Sequence, residues 1–184
     1  MKTPIKVSVL LLLLCFFLLS SCYESLDFNQ VDEYVSKPVF TSALTYFTLV
    51  PTQFFDSNGN QKNSISDITS FYGFQNTYVK DNLVKLEFNA EIKNEFDREV
   101  AIQIDLLNKN NAVTYAFEPI IVESGDLNYL FFKEIEIASN QNILNTEKVR
   151  ITVRIDDTGT PMNANVTSGF VFKSSVTLFI ESSI

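Results

Sequence analysis

The sequence contains no histidine and no tryptophan, and it has only two cysteines in 184 residues. Histidine is the commonest general base in enzymes and the commonest metal ligand, so its absence removes the usual acid–base and metal chemistry. Any enzymatic activity would have to rest on carboxylates, lysine, tyrosine or serine. The chain also has no internal repeat and no low-complexity run.

Basic residues are in the minority, with 14 Lys and Arg against 22 Asp and Glu, for a net charge of -8. An acidic surface repels nucleic acid and anionic lipid headgroups, so neither is an expected partner. The residues are 46% hydrophobic and 13% aromatic, which argues against disorder. A chain of this size buries about 70% of its unfolded surface. We therefore expect one globular domain after any targeting segment.

The first 21 residues have the pattern of an export signal. Lys2 and Lys6 precede an apolar core, Val9–Leu19, which is too short to span a bilayer comfortably. The next residues, Leu19-Ser20-Ser21-Cys22, resemble a bacterial lipobox, in which small residues precede an obligatory cysteine. The resemblance implies that the Cys22 thiol is acylated, that the preceding peptide is cleaved and that the new N-terminus takes another acyl chain. An ordinary signal peptide with a chance cysteine, or an uncleaved anchor, is the alternative.

The two cysteines are consistent with a lipoprotein. Cys15 lies in the apolar core and would leave with the signal, and Cys22 would carry lipid. The mature domain would then have no free thiol, no disulfide and no sulfur metal site. Two or three acyl chains hold a protein at a membrane almost permanently. The expected organisation is a lipoprotein signal peptide at 1–21, an acidic tether at 22–37 and a β domain at 38–184.

The residues after Cys22 bear on which membrane is used. Residue 23 is Tyr, whereas an Asp there commonly retains lipoproteins at the inner membrane. The acidic segment that follows loosely resembles that of surface-exposed lipoproteins of the Bacteroidota, and the Asn- and Phe-rich composition is typical of the same group. We expect an outer-membrane lipoprotein that faces the periplasm or the cell surface. The acidic segment is otherwise simply a solvated tether.

The clearest structural pattern runs from Leu83 to Leu107. Apolar residues alternate with polar ones between Val84 and Ile92, and again between Val100 and Leu106. Since a strand sends successive side chains to opposite faces, each stretch predicts a half-buried strand. The short polar connection predicts an antiparallel hairpin with one apolar face, which needs a second sheet to cover it.

Other stretches predict further short strands. Ser64–Phe74 is the least strand-like part, and Ser66 is a candidate cap for a short helix there. The expected strands are Val39–Val50, Val113–Phe117, Ile120–Val122, Tyr129–Ile137, Val149–Ile155 and Phe170–Ile180.

Some seven or eight strands with almost no helix predict an all-β fold, a two-layer antiparallel β-sandwich. The order of elements from Leu83 onward resembles an immunoglobulin-like or fibronectin-like domain. The cysteine pair and buried tryptophan of antibody domains are absent, so membership of that type is not supported.

Three polar constellations are candidates for chemistry. Asp157-Thr158-Gly159 is similar to the active-site signature of aspartic proteases, although the downstream apolar pair before a glycine is missing. Asp56–Asn60 has oxygen ligands at alternate positions, as calcium loops do, but is also a good hairpin tip. Glu87 and Glu91 share one strand face and could serve glycoside hydrolysis, although mixed charges there usually serve solvation.

An aromatic cluster is the best binding candidate, and it comprises Phe71, Tyr72, Phe74 and Tyr78. Such rings form a contact patch for sugar or protein, or they plug the open end of a sandwich. We expect a non-catalytic, lipid-anchored envelope protein without a cofactor or metal, which acts as a binding or scaffolding module. It would be an accessory subunit of an envelope complex, or a glycan or protein binder. The alternative is a small hydrolase that uses carboxylates such as Asp157.

Overall fold

The computed structural model describes residues 34–183. The signal segment, Cys22 and the acidic residues up to position 33 lie outside the described residues. Val35–Ser182 forms one compact unit, which begins slightly before the predicted domain start at residue 38. Within the described range, no helix is long and apolar enough to cross a membrane.

The described residues are nearly all in strands and turns. A single α-helix, α1 (Thr77–Asn82), is accompanied in this range by 3₁₀ helices at Pro51–Phe54, Ile137–Ser139 and Gln141–Asn145. The strands are β1 (Val35–Ser36), β2 (Val39–Leu49), β3 (Ser64–Ser70), β4 (Leu83–Asn94), β5 (Val100–Leu107), β6 (Val113–Ala116), β7 (Ile120–Val122), β8 (Tyr129–Glu136), β9 (Lys148–Ile155), β10 (Phe170–Ile180) and β11 (Ser182–Ser183).

Two antiparallel sheets form the body of the unit. Sheet I has the order β2-β10-β4-β8, and sheet II has the order β3-β9-β5-β6. The short strand β7 pairs with Val100–Ile102 of β5, next to the residues that pair with β6. Pro119 separates β6 from β7, since proline cannot donate to the ladder. The predicted all-β, two-layer antiparallel sandwich is confirmed.

The order of the strands is that of a jelly roll. Strands from the first half of the chain pair with strands from the second half in reverse order, namely β2 with β10, β3 with β9, β4 with β8 and β5 with β6. Such nested pairs, divided between two sheets, define the jelly-roll winding. The pairs β4–β8 and β5–β9 have the places of strands B–E and C–F in immunoglobulin-like domains.

The last long strand departs from the immunoglobulin order. There it would join the sheet of β5 and β9, but β10 lies between β2 and β4. Its 11 residues match the 11 of β2 and the 12 of β4, whereas β9 has 8. Pairing with strands of its own length lets β10 satisfy nearly all its backbone groups.

The predicted hairpin between Leu83 and Leu107 is wrong. β4 belongs to sheet I and β5 to sheet II, so the connection from Glu95 to Glu99 crosses between the two layers. Both strands bury alternate apolar residues as predicted. Their apolar sides face each other across the core and do not share one face.

Aromatic rings fill much of the space between the sheets. Phe47 of β2 stacks on Phe172 of β10 at 5.1 Å between ring centroids. Phe96, in the crossing connection, meets the ring of Phe54 edge-on at 5.9 Å and lies 6.2 Å from that of Phe170. Each fully buried Phe contributes about 1.5–3 kcal/mol by removing apolar surface from water. These contacts pack the inner face of sheet I and tie the crossing connection and the first 3₁₀ helix to it.

The region before β4 differs from its prediction. Ser64–Ser70 is strand β3, which pairs with β9 over its whole length, and not a helix capped by Ser66. The helix begins later, at Thr77, where the Asn76 side chain accepts hydrogen bonds from Tyr78 N and Val79 N. A side-chain oxygen at this position satisfies amides that the first helical turn leaves unpaired.

Asn94 holds the crossing between the sheets. Its side chain is fully buried, and its Nδ2 donates to the carbonyls of Arg98 and Glu123 at 2.9 Å and of Val122 at 3.2 Å. Its Oδ1 accepts from Phe96 N at 3.0 Å. The end of β4 is thereby joined to the start of β5 and to the loop after β7.

Candidate functional site

The outer face of sheet I carries the best candidate site. On β4 the residues at even positions from Leu86 to Ile92 are buried, so the odd positions face outward. The strand register places these side chains in rows with those of β10 and β8. One row contains Ser175, Asn89 and Phe132, and the next contains Lys173, Glu91 and Leu130.

One half of this face is internally paired. The Lys85 ammonium lies 2.9 Å from carboxylate oxygens of both Glu87 and Glu134, and 4.1 Å from the ring centre of Phe179. Hydrogen bonding to Glu87, and then to Glu134, raises the pKa of Lys85 above its ordinary value. Thr177 shares a hydrogen bond of 2.9 Å with a threonine of β2. These groups satisfy one another and have little left to offer a ligand.

The other half of the face is different, because its central polar side chains have no partners. Within residues 34–183 no hydrogen bond or ion pair reaches the side chains of Asn89, Glu91, Lys173 or Ser175. Glu91 and Lys173 are direct cross-strand neighbours, yet their charged atoms do not form an ion pair in the described structure. Together the four side chains present an amide, a carboxylate, an ammonium and a hydroxyl.

Two large apolar side chains flank these polar groups. Leu130 is 76% exposed and Phe132 is 58% exposed, both on the outward side of β8. They and the four polar residues line a shallow depression of about 470 Å³. A second depression of about 390 Å³ shares Glu91, Leu130 and Lys173 and adds Lys93 and Leu127. The two share lining residues and form one open trough along the strands, and their volumes are in the range of ligand sites.

The trough is a consequence of where β8 lies. β8 is the edge strand of sheet I, and its inward residues Phe131 and Ile135 pack towards the core. The outward residues Leu130 and Phe132 stand opposite Glu91 and Asn89, and no other layer of residues 34–183 covers them. Such an exposed apolar patch beside polar groups is typical of an interaction site.

The trough is not among the sites that the sequence predicts. The available signal was the run Tyr129–Phe132, in which both faces of a strand are apolar. Only one of these faces can pack in the core of a two-layer sandwich, so the other is left to face outward.

The aromatic cluster that was predicted as the binding patch divides into two pairs. Phe74 is buried, and Phe71 packs against it edge-on at 5.0 Å and against the core. Tyr72 is 67% exposed and Tyr78 is 43% exposed. The two phenylalanines therefore have the alternative role of core filling, and only the tyrosines face outward.

Asp157 is placed as a turn residue. Its Oδ1 accepts a hydrogen bond of 3.0 Å from Gly159 N, and Gly159 has a φ of 77°, which favours glycine. The Thr158 hydroxyl bonds to Thr160 in the same exposed loop. This is the geometry of an Asx turn, which accounts for the Asp-Thr-Gly sequence without catalysis.

Asp56 is likewise the centre of a loop. Its Oδ1 accepts from Asn58 N at 2.8 Å and from Asn60 N at 2.9 Å, and its Oδ2 accepts from the Asn60 amide. The backbone N–H of Asn60, followed by its side chain, lowers the pKa of Asp56 below the ordinary value. The carboxylate thus organises its own hairpin tip. Among residues 34–183 no three acidic or cysteine side chains are grouped so that they could hold a metal ion.

Glu87 and Glu91 do share the outer face of β4, as predicted. Glu87 is held by Lys85, whereas Glu91 lines the trough without a partner among the described residues. Glycoside hydrolysis needs two carboxyl groups on either side of the scissile bond. Of these two glutamates, only Glu91 lines the two depressions, so the pair does not flank a common site.

Comparison with known proteins adds only distant likenesses. No protein-family profile matches the chain, and no curated protein matches it. Among solved structures, the chain is similar to a protein of Parabacteroides distasonis described as secreted, with 13% identity over 62% of this chain and 38% of that one, at a TM-score of 0.47.

Viral particles are also among the similar structures. The VP2 subviral particle of infectious bursal disease virus has 11% identity over 78% of this chain and 32% of that one, at a TM-score of 0.42. Desmodium yellow mottle tymovirus has 13% identity over 81% and 82%, at a TM-score of 0.38. The chain therefore spans about a third of the length of the first two structures named. Likenesses this distant do not bear on what the chain binds.

Proposed function

We propose that the chain is a non-catalytic binding module of the cell envelope, anchored by lipid at Cys22, which binds a glycan in the trough on sheet I. The observation that supports the ligand class is the lining of that trough. Exposed apolar side chains stand beside an amide, a carboxylate, an ammonium and a hydroxyl that have no partners in the described structure.

Carbohydrates match this combination because they are amphipathic in a regular way. Their C–H faces pack on apolar and aromatic surfaces such as Phe132, while their hydroxyls both donate and accept hydrogen bonds. Asn89 and Ser175 offer donors and acceptors, Glu91 accepts and Lys173 donates. The charges of Glu91 and Lys173 cancel, so the centre of the trough is neutral on an acidic protein and favours a neutral ligand.

The shape of the trough favours an oligosaccharide over a single sugar. Asn89, Glu91 and Lys93 lie at alternate positions of one strand, so the row spans roughly 13 Å at the usual rise per residue. A protein partner is less well matched, since the centres of protein interfaces are depleted of charged residues. The unpaired Glu91 and Lys173 lie at the centre of this surface.

A binding role without catalysis is supported by the surroundings of the candidate carboxylates, Glu91 and Asp157. Glu91 has no second carboxylate among the residues that line the trough, and Asp157 is engaged in its own turn. Nothing in the geometry favours the hydrolase alternative.

The glycan proposal is tested with a glycan array and titration calorimetry on the soluble domain. Phe132→Ala should weaken binding of the best ligand by about tenfold, because a ring–sugar contact is lost. Tyr72→Ala is the matched control, since Tyr72 is an equally exposed aromatic residue outside the trough. Equal binding by wild type and Phe132→Ala, or loss in Tyr72→Ala alone, would place the ligand elsewhere. An array without any ligand would reject the function.

The anchor is tested separately in cells. Cys22→Ala should abolish labelling by a palmitate analogue and release the protein from outer-membrane fractions. Whether the domain faces the periplasm or the outside is read from protease accessibility in intact cells. Membrane retention of unlabelled Cys22→Ala would contradict a lipid anchor.

A further inference from the structure

The two open sides of the sandwich, where the edges of the sheets meet, are unequal. On the side of β8, the Phe88 ring contacts Phe117 at 4.9 Å and Phe131 at 6.1 Å, and these rings close the gap between the sheets. β8 also carries Lys133 at an inward position and Glu134 on its outer face. Inward-pointing charges on an edge strand discourage the addition of another strand.

The opposite side, formed by β2 and β3, has less such protection, because β3 carries one inward charge, Asp67, and β2 carries none. β2 is 11 residues long and contains no charged residue and no proline. No strand of residues 34–183 pairs with its outer edge, nor with that of β3. One interruption is present, a bulge at Leu44, where the register with β10 shifts. A long, neutral, β-branched and aromatic edge is a template for strand addition.

A cleft of about 460 Å³ lies between these two edge strands. Phe47 and Ile65 face the core but are only partly buried there. The cleft is also lined by buried residues, namely Leu49 of β2 and Val149, Ile151 and Val153 of β9. Apolar side chains that point inward but remain in contact with water are stabilised by an added apolar group. The cleft is thus an incomplete part of the core.

The charge in the cleft has one sign, and it lies on the same inward side of β3 as Ile65. Asp67 is the single charged residue among those that line it, and it has no ion pair in the described structure. Its Oδ1 accepts a hydrogen bond from Ile68 N at 2.9 Å, so one oxygen remains available. A basic group on the occupant would complement this carboxylate.

We propose that the cleft between β2 and β3 receives an extended peptide segment of a partner protein, with alternate apolar side chains and a basic residue beside Asp67. Such a segment pairs its backbone with one edge strand, and every second side chain enters the cleft. A length of about seven residues matches β3, Ser64–Ser70. This site is separate from the trough on sheet I and would give the anchored module a protein partner as well as a glycan.

A partner protein is favoured over a second copy of the chain by charge. The chain carries a net charge of -8, and Asp67 of one copy would find no basic residue in the neutral β2 of another. A partner segment with a lysine or arginine would avoid the repulsion between two acidic chains and would supply a basic group for Asp67.

The probe is a synthetic peptide of about seven residues that alternates valine and threonine and carries one lysine, with a fluorescent label. The control peptide has the same composition with its valines placed together. Anisotropy should show binding of the alternating peptide and at least tenfold weaker binding of the control. Hydrogen exchange should show new protection of amides in β2 or β3.

Matched variants assign the site. Ile65→Lys places a charge in the cleft and should weaken binding by about tenfold or more. Ile68→Lys, on the outward side of the same strand, should leave it unchanged. Asp67→Lys should weaken binding of the lysine peptide and strengthen that of a glutamate version, a reversal that does not depend on the stability of Ile65→Lys.

Several results would overturn the proposal. Three results would show that the peptide does not bind in the cleft. They are equal binding of the two peptides, an equal effect of Ile68→Lys and Ile65→Lys, and protection confined to β8. A dimer that Ile65→Lys abolishes, without peptide binding, would assign the cleft to a second copy. Glycan binding to the trough should be unaffected by Ile65→Lys, so failure here and failure of the proposed function are distinguishable.

Discussion

Replacing Asn94 by Ala should be among the most destabilising single changes in the domain that do not remove a large apolar side chain. The Asn94 side chain is fully buried and uses both of its functional groups. Its amide donates to the carbonyl of Arg98 in the layer crossing and to that of Glu123 after β7, and its oxygen accepts from Phe96 N. Alanine would remove these bonds from the buried Phe96 N and Arg98 carbonyl, whereas the Glu123 carbonyl would keep its bond from Asp126 N.

The magnitude follows from the number of bonds lost. Asn94→Ala removes two N–H donors and one acceptor, and each lost bond to a buried partner costs about 1 kcal/mol or more. We expect a fall of about 3 kcal/mol in the free energy of unfolding. For a domain of this size that corresponds to a decrease of about 6–12 °C in Tm.

Asn94→Asp sharpens the test because it keeps the shape and removes the donors. A carboxylate facing three carbonyls would have its pKa raised above the unfolded value of about 3.9. A raised folded pKa means that stability is greater at low pH and is lost as the pH rises through the folded pKa. Asn94→Asp should therefore approach the stability of the wild type on acidification.

The assay is urea denaturation followed by far-ultraviolet circular dichroism, since the chain has no tryptophan for fluorescence. Asn89→Ala on the same strand is the control, because the Asn89 side chain has no hydrogen bond within residues 34–183. It should change stability by less than about 0.5 kcal/mol. An Asn94→Ala variant as stable as Asn89→Ala would refute the reasoning about the buried amide.

Two further predictions concern the loops. A Cβ at Gly73 would overlap the Phe71 ring, so Gly73→Ala should displace that ring and lower the free energy of unfolding by about 1–3 kcal/mol in the same assay. The pKa of Asp56 is lowered by hydrogen bonds, chiefly from Asn60, so its stabilising effect is present above the ordinary value of 3.8 and is lost as the pH falls below it. Asp56→Asn should flatten the pH dependence of the hairpin's amide exchange in that range; an unchanged profile would contradict the hydrogen bonds at this tip.

Much of the fold was predictable because alternation reports burial directly. β4, β9 and β10 have clean apolar and polar alternation, and the structure buries the expected side of each. The same pattern does not report which sheet a strand joins. The stretches from Leu83 to Asn94 and from Val100 to Leu107 each bury one face, whether they pair side by side or lie opposite each other across the core.

β3 shows the limit of local signals more sharply. Ser64–Ser70 has only Ile65 and Ile68 as apolar residues, so its sequence does not favour a strand strongly. Its extended conformation is set by antiparallel pairing with β9 at seven successive positions. The partner strand β9 lies far along the chain, so this pairing is not visible in the local sequence of β3.

The trough depends on the same long-range information. Exposure of Leu130 and Phe132 follows from the edge position of β8, which is set by its pairing with β4 alone. The placement of Lys173 beside Glu91 depends on the register of β4 with β10. The aromatic cluster around Tyr72 was more conspicuous in the sequence, but its two phenylalanines pack inward.

The most direct test of the proposed glycan site is a nuclear magnetic resonance titration of the ¹⁵N-labelled domain with the best oligosaccharide from the array. Saturable shifts should cluster on the trough, at the amides of Asn89, Glu91, Phe132 and Ser175, and should need about tenfold more ligand to saturate in Phe132→Ala. Shifts centred on Tyr72, shifts confined to the cleft between β2 and β3, or no saturable shifts at all would contradict glycan binding on sheet I.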